Sequence, residues 1–174
     1  MPKGIIIFGA NGCGKTTLGR ELARVLCIKH MDIEDYHFVK SEIPYTEARS
    51  HDECLRLMLA DIEKYGTFVL SAVTGDFDET ICATYILGVH ITAPVDIRIE
   101  RIAKREAARH EKRICAGGDM FDQHREFLNF AASRSLATIE NWAKELTCPV
   151  IQVDGARDVA ENVRQIAAVY SSLV

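Results

Sequence analysis

The residues Gly9-Ala-Asn-Gly-Cys-Gly-Lys-Thr16 satisfy the pattern G-x-x-x-x-G-K-[ST] at every fixed position. Its glycines let the backbone curl until successive N–H groups point inward, an arrangement that holds phosphate oxygens. Lys15 brings a point charge to the β and γ phosphates of a nucleoside triphosphate, and the Thr16 hydroxyl is a hard oxygen suited to magnesium. An apolar run, Gly4–Phe8, precedes the loop and an amphipathic segment, Lys15–Leu26, follows it. The loop therefore sits at a helix N-terminus, where the macrodipole adds positive potential. The expected ligands are ATP and Mg2+. Gly9, Ala10, Asn11, Gly12, Cys13, Gly14, Lys15, Thr16 and Thr17 surround the nucleotide, with Thr16 on the metal. Cys13 counts as a small residue tolerated in the loop, because no histidine is placed by sequence to activate its thiol.

Two further groups of side chains suit phosphoryl chemistry. Asp32, Glu34 and Asp35 follow a short apolar segment whose end should face the loop. A carboxylate there can orient an acceptor hydroxyl, take its proton, or hold magnesium through water; which of the three acids acts stays open. From Arg98 to Arg113 there are seven Lys or Arg against three Glu. Arg98, Arg101 and Arg105 are spaced to line one helical face, which Arg109 extends. Mobile guanidinium groups neutralise the charge that spreads over a phosphoryl group in transfer. Arg105 and Arg109 are the expected catalytic cations, beside Lys15, and Arg113 a nucleotide contact. The competing reading is a solvated helix laced by pairs such as Glu100 with Lys104. Aromatic interleaving, which a nucleic-acid patch would need, is missing. Tyr45, Arg49 and Arg56 are expected contacts for an anionic or phosphorylated acceptor, within an acceptor segment at about 36–65. Asp35, Arg49 and Asp76 are the expected substrate-binding residues. Asp76 would replace a missing acid at the end of the third strand. His37 and His124 read as surface or lid residues, since the six histidines have no metal spacing.

The elements that must position these residues follow from periodicity. Strands are predicted at Gly4–Phe8, Lys29–Met31, Thr67–Ala72, Ile86–Thr92 and Pro149–Val153. Most are continuous apolar runs, as in a parallel sheet covered on both faces. Between them lie helical segments: Lys15–Leu26, a helix from a capping box at Ser50 and Glu53 to Gly66, and one opened by Pro94. After Gly117 and Gly118 comes a long helical stretch bent near Ser133–Ser135. A last helix carries Val159, Val163, Ile166 and Tyr170. This alternation predicts an α/β fold of three layers, with a five-stranded parallel sheet, a helical lid at about 105–125, and ligands at the carboxyl ends of the strands.

Several classes are set aside by motifs. The guanine motif N-K-x-D and a transporter signature like L-S-G-G-Q do not occur. Motor and AAA-type ATPases carry an Asp-Glu pair after the third strand, where this chain reads Phe68-Val-Leu-Ser-Ala-Val-Thr-Gly75. What remains is the group of small phosphotransferases. Gly12–Ala23 resembles the loop and first helix of shikimate kinases and nucleoside monophosphate kinases. His30–Asp35 is similar to their acidic motif, Ile91–Pro94 with Arg98, Arg101 and Arg105 to their fourth strand and lid helix, and Val150–Gly155 to the loop beside the adenine. Arg113–Phe127 resembles the lid of bacterial kinase-like proteins. The resemblance implies a P-loop kinase of one domain, residues 1–174. It carries the acid nearest the metal and acceptor to Asp32, although Glu34 holds the second place of the usual D-x-D. The implied activity is ATP-dependent transfer of the γ-phosphoryl group to a small molecule or nucleotide. The alternative is a nucleotide-binding switch or slow regulatory ATPase.

Composition agrees with such a reading. The 174 residues, 48% apolar and 26% charged, suffice for a buried core without staples. The net charge of −4 exerts no general pull toward nucleic acid or an anionic membrane. Six scattered cysteines without C-x-x-C spacing fit reduced thiols, and the N-terminal apolar run is too short for a signal peptide. The expected partners are therefore a nucleoside triphosphate and a small-molecule acceptor, without nucleic acid or membrane, in the cytoplasm. Oligomeric state stays open.

Overall fold

The computed structural model describes all 174 residues. Strands β1 (Lys3–Phe8), β2 (Lys29–Asp32), β3 (Thr67–Ala72), β4 (Tyr85–Thr92) and β5 (Val150–Asp154) form one sheet in the order β2-β3-β1-β4-β5. Every neighbouring pair is parallel. The predicted strands match these within a residue at each end.

Eight helices connect the strands: α1 (Lys15–Leu26), α2 (Ile33–His37), α3 (His51–Tyr65), α4 (Glu79–Cys82), α5 (Val95–His110), α6 (Phe121–Ser133), α7 (Ala137–Glu145) and α8 (Val159–Ser171). The central strand β1 explains the layers. Ile5, Ile6, Ile7 and Phe8 are all fully buried, and alternate residues point to opposite faces. Ile5 and Ile7 pack with Leu18 and Leu22 of α1 and Val163 and Ile166 of α8. Ile6 and Phe8 pack with Met58 and Ile62 of α3 and Ile139 and Trp142 of α7. Each such side chain contributes about 1.5–3 kcal/mol relative to exposure.

Local capping sets several boundaries. The Ser50 hydroxyl accepts from Glu53 N, and Gly66 ends α3 with a positive φ of 70°. Asp32 and Asp78 cap α2 and α4, helices too short to leave a periodic signal in the sequence. Pro94 stands just before α5 and not inside its first turn. The long stretch after Gly118 is two helices, because the chain leaves helical geometry at Arg134 and Ser135 then caps Ala137 N through its hydroxyl. No helix is long and apolar enough to cross a membrane.

Candidate active site

The carboxyl ends of β1, β2 and β3 open onto a cavity of about 430 Å³. Its floor is the loop from Asn11 to Thr17. Gly12, at φ 82°, lies against the backbone of Arg98, so that any Cβ would collide with main chain. No side chain caps α1, whose first internal bond runs from Leu18 N to Gly14 O. The N–H groups of its first turn therefore face the cavity without a side-chain acceptor, a ready anion site. Lys15 Nζ donates to Ala10 O at 3.0 Å. Burial holds the Lys15 pKa below the usual lysine value, with Glu34 and Asp32 opposing that shift. Cys13 is fully buried, its side chain packed in the core and its carbonyl facing Gly155 and Arg101.

Asp32 is the most constrained of the three acids. It is 8% exposed, and its carboxylate accepts from Thr16 Oγ1 at 2.8 Å and from Glu34 N at 3.2 Å. Glu34 also lines the cavity, and burial followed by the neighbouring Asp32 carboxylate pushes its pKa up. Asp35 points away to solvent.

The far end of the cavity lies beside β5 and α8. Gly155 sits where a Cβ would meet the carbonyl of Cys13. Arg101 donates to Gly155 O at 2.8 Å, and the buried Asn162 holds Asp154 O at 2.8 Å. Arg157 and Val159 complete the wall.

A second cavity of about 310 Å³ adjoins the first and shares Asn11, Glu34, Arg105 and Phe127 with it. Phe38, Tyr45, Glu106 and His124 also line it. Arg105 donates Nε to Glu106 Oε1 at 2.9 Å, and its two terminal nitrogens make no bond within the protein. Glu106, 7% exposed, is also paired with His110 at 3.4 Å.

The arginines of α5 divide in a way that the sequence reading missed. The buried face of the helix is Arg98, Ile102 and Glu106, spaced by four. Arg98 is 4% exposed and donates to Asn11 O and Ala131 O, both at 3.2 Å, tying the loop to α6. It is therefore framework and not part of a mobile basic face. Arg109 reaches Tyr45 Oη at 3.4 Å and lines neither cavity. Glu100 and Lys104 make the exposed pair expected of a solvated face, at 2.6 Å.

Other predicted site residues also lie outside both cavities. Arg113 is clasped by Asp119 at 2.7 and 3.0 Å and reaches Glu42 O at 3.3 Å. Arg49 donates Nη1 to the carbonyls of Asp35, Tyr36 and Phe38, which holds the end of α2, and its Nε lies 3.5 Å from Glu53. Asp35 and Asp76 are exposed and absent from either lining. Gly9 and Ala10 shape the loop from behind: Gly9 N donates to Val73 O, and Ala10 offers its carbonyl to Lys15. His124 lines the second cavity, where the sequence suggested surface or lid. Arg134 was missed altogether. Its guanidinium donates to Asn11 Oδ1 at 3.1 Å from 123 residues away, and no local pattern marks that partnership.

Comparison with known proteins agrees with this architecture. A family model described as an AAA domain matches residues 5–126. The chain belongs to that AAA domain family. The missing acid pair had set AAA-type ATPases aside. The match corrects that exclusion, and Ser71 and Ala72 at the end of β3 remain a feature of this member's site. The uncharacterized protein YqaC of Bacillus subtilis (strain 168) is 31% identical over 180 residues, covering 99% of both chains. Among solved structures, a shikimate kinase from Bacteroides thetaiotaomicron superposes with a TM-score of 0.59 at 18% identity, covering 98% of this chain and 99% of that one. A gluconokinase from Sinorhizobium meliloti 1021 gives 0.54 at 15% identity, covering 99% and 93%. The fold is that of the small P-loop kinases.

Proposed function

We propose that the chain is an ATP-dependent phosphotransferase that moves the γ-phosphoryl group to a small acceptor bound in the second cavity. One observation carries this reading: the two cavities meet at Asn11, Glu34, Arg105 and Phe127, so a phosphoryl group on the loop and an acceptor next door would face each other.

The loop N–H groups and Lys15 bind the triphosphate, with the base toward Gly155 and Asn162. The donor set near the loop fits magnesium, because Thr16 and Asp32 put a hydroxyl and a carboxylate 2.8 Å apart. Those two would hold the ion, directly or through water. Bound there, magnesium would supply positive charge to neutralise the triphosphate. Asp32 is engaged with Thr16 and the α2 cap, which leaves Glu34 as the carboxyl facing the acceptor. Burial, followed by the neighbouring Asp32 carboxylate, raises its pKa, which makes it a stronger base for the hydroxyl proton than an exposed glutamate. Arg105, with its free terminal nitrogens, meets the charge that develops during transfer. The reading implies one kinase domain over residues 1–174, with the acceptor side formed by Phe38 and Tyr45 from the 36–65 segment and by the lid helices α5 and α6.

The test is ADP release with ATP and a panel of small hydroxylated compounds. Stimulation by one acceptor supports the kinase. Slow release indifferent to every acceptor supports a switch or regulatory ATPase instead.

A further inference from the structure

The smaller cavity is built from aromatic faces. Phe38, Tyr45 and Phe127 come to it from three separate segments. The Phe38 and Tyr45 rings form a corner, with centroids 5.3 Å apart and planes at 76°. Tyr45 holds a positive φ of 64°, a conformation that a bulky residue keeps only when its surroundings impose it. The surroundings do so. Val39 N bonds Glu47 O, Arg49 N bonds His37 O, and Gln123 Nε2 reaches Pro44 O at 3.4 Å. The loop is thus held so as to keep an aromatic face at the cavity.

The charges in the cavity do not suit an anion. Two carboxyl groups, Glu34 and Glu106, face one guanidinium, Arg105, whose Nε donates to Glu106, and the imidazole of His124. The other arginines near this cavity are held by protein partners: Arg113 by Asp119, Arg49 by three carbonyls, and Arg109 by Tyr45 Oη. Arg56 is exposed and lines neither cavity. Carboxyl groups instead accept from O–H and N–H donors, and aromatic faces stack on a flat ring. The volume stands at the small end for ligand sites, enough for one compact molecule.

Resting on the kinase reading above, we propose that the acceptor is an uncharged, planar, hydroxyl-bearing compound of the nucleoside type, and that the site rejects its phosphorylated counterpart. The acceptor hydroxyl oxygen forms the new bond to the γ-phosphorus. The bond to the β–γ bridging oxygen breaks, ADP leaves with that electron pair, and the hydroxyl proton passes to Glu34.

The experiment is calorimetric titration of the wild-type protein, with a non-hydrolysable ATP analogue bound. The probes are the common nucleosides, their 5′-monophosphates, shikimate and gluconate, and ADP formation is followed in parallel with ATP. At least one nucleoside should bind about tenfold or more tightly than its monophosphate, as like-charge juxtaposition requires, and should stimulate ADP formation. Tyr45→Ala should weaken that nucleoside by about tenfold while Tyr45→Phe stays within about twofold, the difference expected for a lost stacking face. The ATP affinity of both variants should be unchanged. Binding confined to the monophosphates or the carboxylated compounds, or no nucleoside binding at all, overturns the assignment. Nucleoside binding with the expected discrimination but no stimulated ADP formation supports the chemistry of the cavity and refutes the kinase reading instead.

Discussion

The phosphate loop and helix α5 both place cations beside a space sized for phosphate, and they use them in opposite ways. In the loop, nearly every group is committed to one purpose: strained glycines, uncapped N–H groups and Lys15 all face the same cavity. Along α5, one turn separates a structural arginine from a free one. Arg98 is buried and tied to two carbonyls, Arg101 braces Gly155 O through one nitrogen while lining the phosphate cavity, and Arg105 lines both cavities with its two terminal nitrogens unpaired. A run of like charges therefore says little about function until the partners of each residue are known.

The sharpest way to break this contrast is at the acids beside the loop. Glu34→Gln should lower turnover by about 10²–10⁴-fold, the range for general acid–base groups, with ATP affinity nearly unchanged. Asp35→Asn, outside the cavity, should leave turnover as it was. Steady-state kinetics on the two variants decides this, and equal mild effects would move the catalytic acid elsewhere.

Lys15→Ala comes next. Losing a charge-assisted contact worth up to about 3 kcal/mol should weaken triphosphate binding by about a hundredfold. The melting curve should stay in place, because Lys15 supplies charge and little packing. Titration with a fluorescent ATP analogue reads the first effect.

The helix itself offers a paired test. Arg105→Met is made beside Glu106→Gln, so that no buried carboxylate loses its partner. It should cost about tenfold in turnover relative to Glu106→Gln alone, as expected for one charge-assisted bond, with the melting temperature of that background unchanged. Arg98→Met should do the reverse, costing about 1.5–3 kcal/mol of stability as two bonds from a charged group are lost. If both variants lost turnover and neither lost stability, the division of labour along α5 would be wrong.

The smallest effect concerns pH. His30 Nε2 lies 3.0 Å from Ser71 Oγ, which in turn donates to Lys15 O, and burial lowers the His30 pKa. The folded state resists the proton that the unfolded chain accepts near pH 6.5. Stability is thus full above about 6.5 and is lost as pH falls through the folded value. Thermal melts of His30→Asn between pH 7 and 5 should show a shallower decline than wild type. His90, whose pKa burial also lowers, retains part of the slope.

How much of this was legible in the sequence depends on the range of the interactions. The strands were, because a run such as Ile5–Phe8 is buried on both faces whatever its neighbours are. The loop was, because its chemistry is contained in eight consecutive residues. Arg98 was misread since the inward face of α5 is polar, and a stripe of Arg98, Ile102 and Glu106 has no apolar signature. Arg49 was taken for a ligand because nothing local reveals three carbonyls at the end of α2. The aromatic walls stayed hidden because Phe38, Tyr45 and Phe127 are brought together only by the fold.

The most direct test of the account is the fate of the γ-phosphoryl group. ATP labelled at the γ position is incubated with the protein and each nucleoside, and the products are separated. The expected result is label in an organic phosphate ester, at a rate that depends on the acceptor. Label recovered wholly as inorganic phosphate, at one rate whatever acceptor is present, would contradict it.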